Sequence, residues 1–486
     1  MKRKLLLIKT LSIFLLSNFV VRAQNMIFER IYDETLSQAS YIIANENKEA
    51  IVIDPKRDID TYIDFAKQNG LEIKYVTETH IHADFLSGSR ELAQVTNAKL
   101  LLSAEGGDDW QYSFLHEPLN DLQKIYFGNL EIEVMHTPGH TPESISFLIR
   151  NLKNTSEPIK AVTGDFIFVG DVGRPDLLEK TAGKEGSQFV GASQLFESLN
   201  KFINLPKNTE LWPGHGAGSF CGKSLSTVPQ STLEQEMSSS MAFKYLNDKK
   251  AFIEFVLDGQ PEPPKYFSTM KEWNKSSRPL LIEIPKLKKL TNTEALKAYE
   301  NNILIIDTRR KEEVAKEYIP GSLHIENSTS FSTFVGSLVS YNQPILLIAS
   351  EAEIRDIQRK LIRIGMDNLY GYITEVKNFK NLKSSKIITA EEVLEYKKDK
   401  KVQLIDVRTA SEYESGHIKG FENMSLNSLD EMSIRIQKDV PVIIHCQSGV
   451  RAAMAYSILE RLGFTTILNY SGSINDWKAK KLPLVK

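Results

Sequence analysis

Two stretches in the second half of this chain can be laid over one another without a gap. "LIIDTRRKEEVAKEYIPGSLHIENS" aligns with "QLIDVRTASEYESGHIKGFENMSL", pairing Asp307 with Asp406, Arg309 with Arg408 and Gly321 with Gly420. A self-similarity of about 100 residues constrains the fold more than any local propensity, because each copy must be one folding unit. Further on, "QPILLIAS" lines up with "VPVIIHCQ" as a second buried strand of each unit. Strand, helix, strand and helix follow in each copy, which predicts two small α/β domains in tandem, over 286–385 and 386–486.

The chain has 486 residues, more than one core usually serves, so the repeat must share it with at least one other domain. From Met26 to Glu254, short β-type runs ("SYIIA", "AIVIDP", "YVTETH", "AVTGDFIFVGD") alternate with helical stretches, which suits an α/β or layered αββα domain over 25–260. The Pro-rich "DGQPEPPKYF" then marks a boundary. With 41% hydrophobic and 25% charged residues the composition is that of a globular protein, and a net charge of −2 gives no reason to expect nucleic acid as a partner. The two cysteines, Cys221 and Cys446, are too few for a disulfide framework. At the N-terminus, "MKRK", the apolar "TLSIFLLSNFVV" and "VRA" have the pattern of a secretory signal over 1–24, which implies export to a periplasm. The alternative is a cytoplasmic chain whose true start is Met26. No later run is long and apolar enough to cross a bilayer.

Four of the nine histidines stand in Gly- or Asp-bearing loops after expected strands. They are His80 and His82 in "THIHADF", His140 in "TPGHTPES" and His215 in "WPGHGAG". Asp84 shares the first loop and Asp165 lies in "TGDFIF". Imidazole and carboxylate gathered at strand ends suit a transition-metal site. His116 and His136 lie outside these motifs and are read as structural. Arg174 in "GRPD" reads either as an anchor for a substrate carboxylate or as half of an internal salt bridge. Cys221, soon after His215, can approach the same pocket or simply be a small buried residue.

Those motifs, in that order, resemble the metallo-β-lactamase superfamily. In its binuclear hydrolases the positions of His80, His82 and His140 hold one ion. Asp84, His215 and a histidine where this chain has Phe85 hold the other, and Asp165 bridges. Phe85 therefore removes a ligand, and a mononuclear site is the economical reading. "ETHIHADFLSG" and "VGDVGRPDL" look most like the persulfide dioxygenase branch. That likeness implies one Fe(II) per chain held by His80, His140 and Asp165, with zinc as the alternative. Two histidines and a carboxylate leave open positions for substrate and O₂. His82, Asp84, His215, Arg174 and Cys221 are then left with supporting or substrate-binding roles.

The second motif is "IIHCQSGVRAAMAYSILERLGF": a strand, a loop of Cys446, Gln447, Ser448, Gly449, Val450 and Arg451, then a helix. Loop amides and a helix N-terminus converging on sulfur stabilise a thiolate, and a persulfide anion for the same reason. The loop resembles that of rhodanese-type sulfurtransferases, which implies Cys446 as the sulfur carrier and Arg451 as a catalytic partner. The other copy of the repeat reads "LLIASEAEIRDI", with Ala349 and Ser350 near the cysteine position, and resembles an inactive rhodanese-like domain that positions the other two or supports oligomer contacts.

The whole order resembles persulfide dioxygenase–rhodanese fusions. It implies oxidation of a low-molecular-weight thiol persulfide by O₂ to sulfite, then transfer of sulfane sulfur from Cys446 to sulfite, giving thiosulfate. A homo-oligomer is the expected assembly. A zinc-dependent thioester hydrolase of the glyoxalase II type with attached rhodanese domains is the alternative. A non-catalytic sulfur carrier is a third reading, and it leaves the ordered His/Asp set unexplained.

Overall fold

The structure is a computed structural model that describes residues 26–183, 185–398 and 401–486; the expected signal segment lies outside them. Two six-stranded sheets form the first domain. One runs in chain order through Ile27–Asp33, Gln38–Ala44, Glu49–Ile53, Glu72–Thr77, Lys99–Ser103 and Glu117–Leu119. The other has the spatial order Ser231–Thr232, Glu210–Pro213, Lys160–Gly164, Ile145–Asn151, Leu130–His136 and Lys124–Phe127. Tyr41, Ile43, Ile51 and Ile53 of the first sheet meet Leu130, Ile132, Val134, Phe147 and Ile149 of the second in a shared apolar core. The outer face of the first sheet is covered by the helices Asp60–Asn69 and Ser89–Thr96, through Tyr62, Ala66, Leu92 and Ala93. Ser187–Phe202 and Lys249–Leu257 cover the second through Ala192, Leu195, Leu199 and Phe252. The layering is αββα, because each sheet is apolar on both faces and must be covered twice.

The pairing pattern places the histidine loops. Leu130–His136 and Lys160–Gly164 both run antiparallel to Ile145–Asn151, and Glu210–Pro213 runs parallel to Lys160–Gly164. Their C-terminal ends, which lead to His140, Asp165 and His215, therefore lie at one edge of the sandwich.

The two copies of the repeat are four-stranded parallel sheets with the same strand order. Leu304–Asp307 lies between Leu323–His324 and Ile345–Ile348, with Leu369–Ile373 outside. Gln403–Asp406 lies between Glu422–Asn423 and Val442–His445, with Ile467–Asn469 outside. The repeated Asp-x-Arg is an internal clip in both. Arg408 grips Asp406 at 3.0 Å (Nε–Oδ1) and 2.6 Å (Nη2–Oδ2), and Arg309 grips Asp307 at 2.9 and 2.6 Å.

The middle domain is clamped to the first through buried charge. Arg363 reaches Asp33 at 2.5 Å and Asp58 at 2.9 and 2.5 Å, and Arg359 adds a contact to Asp58 at 2.8 Å. Burial pushes both carboxyls up, but the Arg363 guanidinium outweighs it and holds them below their ordinary value of 3.8. A depressed carboxylate contributes stability above its unfolded value that is lost as pH falls through the folded one. The clamp should therefore weaken below about pH 4. Arg363→Ala takes from Asp33 and Asp58 the guanidinium they share, leaving Lys56 at 3.6 Å from the first and Arg359 at 2.8 Å from the second, and is expected to cost about 3 kcal/mol. Urea unfolding of the full chain checks this, and a loss under about 1 kcal/mol, typical of a surface pair, would contradict it.

The segment between the first domain and the repeat is more than a boundary. It contains the helix Phe267–Lys275, whose Phe267 and Met270 join the apolar cluster around Phe85 and Leu86. The prolines restrict only its approach; Tyr266, Phe267, Met270 and Asn274 turn a buried face to the metal-loop side.

Candidate metal centre and cysteine loop

The strand Glu72–Thr77 ends in the loop that carries His80, His82 and Asp84. Gly164, at φ +51°, turns the chain from its strand into Asp165, and a Cβ there would stand 2.3 Å from Thr79 Oγ1. His80, His140 and Asp165 converge so that their ligand-capable atoms lie within 4.8 Å of one another. His140 Nε2 is 3.5 Å and His80 Nε2 3.9 Å from Asp165 Oδ2. On the far side of each ring, Nδ1 is held by another group. His80 Nδ1 is 3.0 Å from Thr79 Oγ1, His140 Nδ1 is 3.1 Å from the Arg174 carbonyl, and His215 Nδ1 is 2.9 Å from the Ser37 carbonyl. A carbonyl fixes the proton on Nδ1, so Nε2 of His140 and His215 presents a lone pair to the centre.

Asp165 and Asp84 are buried, and all four of their carboxylate oxygens lack a hydrogen-bond partner. A buried carboxylate without donors is costly, and a cation removes that cost. Burial, followed by the charges of His82, His140 and His215, pushes His80 far below the ordinary histidine value, and burial pushes His140 down as well. Both rings are thus neutral, the form that binds a metal. These residues fit a resident ion.

His82 is not among the three residues gathered at this convergence, although its ring lies 4.2 Å from that of His80 and its Nδ1 is buried without a partner. Its Nε2 lies 3.0 Å from Asp54 Oδ1, and although burial pushes it down, Asp54 outweighs that and holds it up at about 9. The Phe85 ring, fully buried, packs 4.4 Å from the His82 ring. A second group, Asp84, His215 and Cys221, also gathers its ligand atoms within 4.8 Å. His215 Nε2 lies 3.4 Å from both Asp84 Oδ2 and Asp165 Oδ1. Burial, with the charges of Asp165 and Asp84, pushes the Cys221 thiol well above its ordinary value. Phe85 thus occupies one corner of the site while a cysteine from the loop after His215 enters at another. On the one-ion reading, Phe85→His should supply a nitrogen ligand and raise metal content towards two ions per chain. Elemental mass spectrometry reads this, and unchanged one-metal occupancy would sink the role given to Phe85.

Arg174 is the internal salt bridge of its two readings. It is 0% exposed and its guanidinium is spent on Asp176 at 2.8 and 2.7 Å and on the Phe220 carbonyl at 2.8 Å, so it cannot also anchor a substrate carboxylate. Its place is behind the site, since its carbonyl orients His140 and its side chain holds the residue before Cys221. His116 and His136 bond to the carbonyls of Phe114 and Pro142, at 2.7 and 2.8 Å.

Sequence reasoning missed the residues that hold the metal loop from outside. Asn274 donates to the carbonyls of His82 and Phe85, both at 2.8 Å, and accepts from Ser87 N at 2.9 Å. Tyr266 donates to the Asp84 carbonyl at 2.9 Å, and Leu86 N donates to the Arg363 carbonyl at 2.7 Å. The only signal was an aromatic and amide-bearing helical stretch following prolines.

In the last domain, Val442–His445 delivers Cys446 to the N-terminus of the helix Val450–Arg461. Gly449 N donates to Cys446 Sγ at 3.1 Å, and Ser473 Oγ lies 3.8 Å from the sulfur. Gly449 has φ +91°, and a Cβ there would meet the Ser471 carbonyl at 2.2 Å, so only glycine lets the loop close. Ser473 was not foreseen; it also receives Cys446 N at 3.1 Å from a left-handed φ of +56°. Arg451 forks Glu412 at 2.7 Å on both arms, and against burial this holds Glu412 down at about 2. In the middle domain Ala349 follows the equivalent strand, since Ile348 pairs with Asp307 as His445 pairs with Asp406. That copy offers no thiol at this place.

Comparison with known proteins agrees with this geometry. The metallo-beta-lactamase superfamily model matches residues 34–215, and the rhodanese-like domain model matches residues 389–480. The crystal structure of a metallo-beta-lactamase from Staphylococcus aureus subsp. aureus COL is 40% identical, with a TM-score of 0.67, covering 72% of this chain and 100% of that one. The chain belongs to the metallo-beta-lactamase superfamily, and it carries a rhodanese-like domain near its C-terminus. Persulfide dioxygenase ETHE1 of Bos taurus is 26% identical over 215 residues, 42% of this chain and 73% of that protein. A hydroxyacylglutathione hydrolase of Prochlorococcus marinus is 31% identical over 170 residues, 35% of this chain, and the match spans 62% of that hydrolase. Proteins of this superfamily bind metal, and the His/Asp set described above is the candidate site. Among the described residues, no helix is long and apolar enough to cross a membrane.

Proposed function

We propose that this chain is a persulfide dioxygenase fused to a sulfurtransferase. The observation that carries the reading is the donor set: two neutral imidazoles and one carboxylate converge in a buried centre, with Phe85 on its flank. The similarity to persulfide dioxygenase ETHE1 supports it. His80, His140 and Asp165 would hold one Fe(II), which when bound supplies redox access to O₂ that zinc lacks. The Thr79 hydroxyl and the Arg174 carbonyl keep the rings of His80 and His140 aimed, while Phe85 and Phe168 exclude bulk water from one side. The balanced reaction is RSSH + O₂ + H₂O → RSH + SO₃²⁻ + 2H⁺.

In the last domain Cys446 would carry sulfane sulfur as a persulfide. A sulfite lone pair attacks the outer sulfur, the S–S bond breaks, and its electron pair returns to Sγ as thiolate. The product is thiosulfate. Covalent relay through one cysteine splits a two-substrate transfer into two steps. The proposal predicts that protein purified without oxygen consumes O₂ when given glutathione persulfide and forms sulfite. No O₂ uptake by iron-loaded protein would overturn it.

A second reading, a zinc-dependent thioester hydrolase, is favoured by the Asp84–His215–Cys221 group and the hydroxyacylglutathione hydrolase relative. It requires a second ion beside the first.

A further inference from the structure

A side chain of the middle repeat reaches the cysteine loop of the last one. Lys311 opens the helix Lys311–Lys316 of the middle domain, and its Nζ crosses the domain seam to donate to the Ser448 carbonyl at 2.6 Å. That carbonyl belongs to the same peptide unit as Gly449 N–H, which donates to Cys446 Sγ at 3.1 Å. A Cβ on Gly449 would stand 3.0 Å from Lys311 Nζ, so the ammonium lies directly against this peptide. We infer that Lys311 is a positioning residue for sulfur transfer, acting through the Ser448–Gly449 peptide to aim and polarise the N–H that meets Cys446.

Two physical arguments carry the inference. A cation bonded to a peptide oxygen draws electron density along the amide and strengthens the hydrogen bond made by its N–H. The bond itself is charge-assisted, so it fixes the peptide plane more firmly than water would. The loop's own cation is meanwhile committed elsewhere, since Arg451 is forked by Glu412 at 2.7 Å on both arms. Around Lys311 the nearest acids are Glu312, at 3.9 Å from Nζ, and Glu326, which accepts from the Lys311 backbone N at 3.2 Å. Neither reaches Nζ as closely as the Ser448 carbonyl does.

The seam is built to hold this register. His324 N donates to Ser457 Oγ at 3.0 Å, and Gly321 N donates to Glu460 Oε2 at 2.9 Å. Lys383 pairs with Glu460 at 2.7 Å. Ser457 and Glu460 lie on the same helix whose N-terminus faces Cys446. At the offset that pairs Asp307 with Asp406, Lys311 falls on Ala410, so this cation belongs to the middle copy alone and is not part of what the two copies share.

The inference rests on the reading of Cys446 as the sulfur carrier, and the test separates the two. Full-length Lys311→Met, Lys311→Arg and Cys446→Ser are assayed for sulfur transfer from thiosulfate to cyanide. The alkylation rate of Cys446 by iodoacetamide at fixed pH is followed by peptide mass spectrometry. Lys311→Met should lose on the order of 10-fold in kcat/KM, as expected for a charged hydrogen bond. The loss should fall mainly on kcat and be matched by slower Cys446 alkylation, and Lys311→Arg should recover most of both. Wild-type kinetics and alkylation in Lys311→Met would overturn the inference, as would equal loss in Lys311→Arg. Lys311→Gln carries the same comparison where the methionine variant does not fold. Sulfur transfer surviving in Cys446→Ser would instead overturn the reading of Cys446.

Discussion

Cys446→Ser is expected to abolish sulfur transfer, by about 10³-fold or more, because a nucleophile removed from a covalent relay leaves no second route. Persulfide-dependent O₂ uptake should continue, since the candidate metal centre is built from other elements entirely. On the proposed function, the product should therefore change from thiosulfate to sulfite. The substitution is nearly isosteric at a buried site where Gly449 N and Ser473 Oγ already face the sulfur, so a serine hydroxyl finds partners and the fold is preserved. Ion chromatography of the oxidised products distinguishes the two anions. Continued thiosulfate formation in the variant would mean that Cys446 does not carry the sulfur.

The second large effect is at Asp165. Asp165→Asn keeps the shape but removes the charge from a buried carboxylate that has no hydrogen-bond donor of its own. Metal content and O₂ uptake should both fall by more than the roughly 10–100-fold that loss of an outer partner costs. Asp84→Asn makes the contrast. On the one-ion account it belongs to the group with His215 and Cys221, and the first ion is retained. Equal loss of metal in both variants would favour two linked ions and the hydrolase reading.

Much of the fold could be read because the sequence signals were periodic or paired. The gapless repeat announced two like domains, and the pairs Asp307–Arg309 and Asp406–Arg408 are local clips from which each arginine also reaches a carbonyl eight residues on, that of Glu317 or Gly416. That signal reported folding rather than chemistry. The His/Asp loops were legible because strand ends in layered sheets gather at one edge, so side chains far apart in sequence converge there.

What could not be read was set by long-range packing. Arg174 reads equally well as an anchor or as half of a salt bridge, and only burial against Asp176 and the Phe220 carbonyl decides between them. Asn274 and Arg363 brace the metal loop at Phe85 and Leu86 from separations of 189 and 277 residues, where no local pattern carries the information. Cys221 showed a possible approach to the pocket, but its convergence with Asp84 and His215 depends on how the loop after His215 folds back.

The measurement that tests the central claim most directly is metal content per chain, by elemental mass spectrometry, on protein purified without oxygen. One iron per chain is the predicted result, held by His80, His140 and Asp165. Two zinc ions per chain would contradict it, because the Asp84–His215–Cys221 group would then be a second metal site despite Phe85.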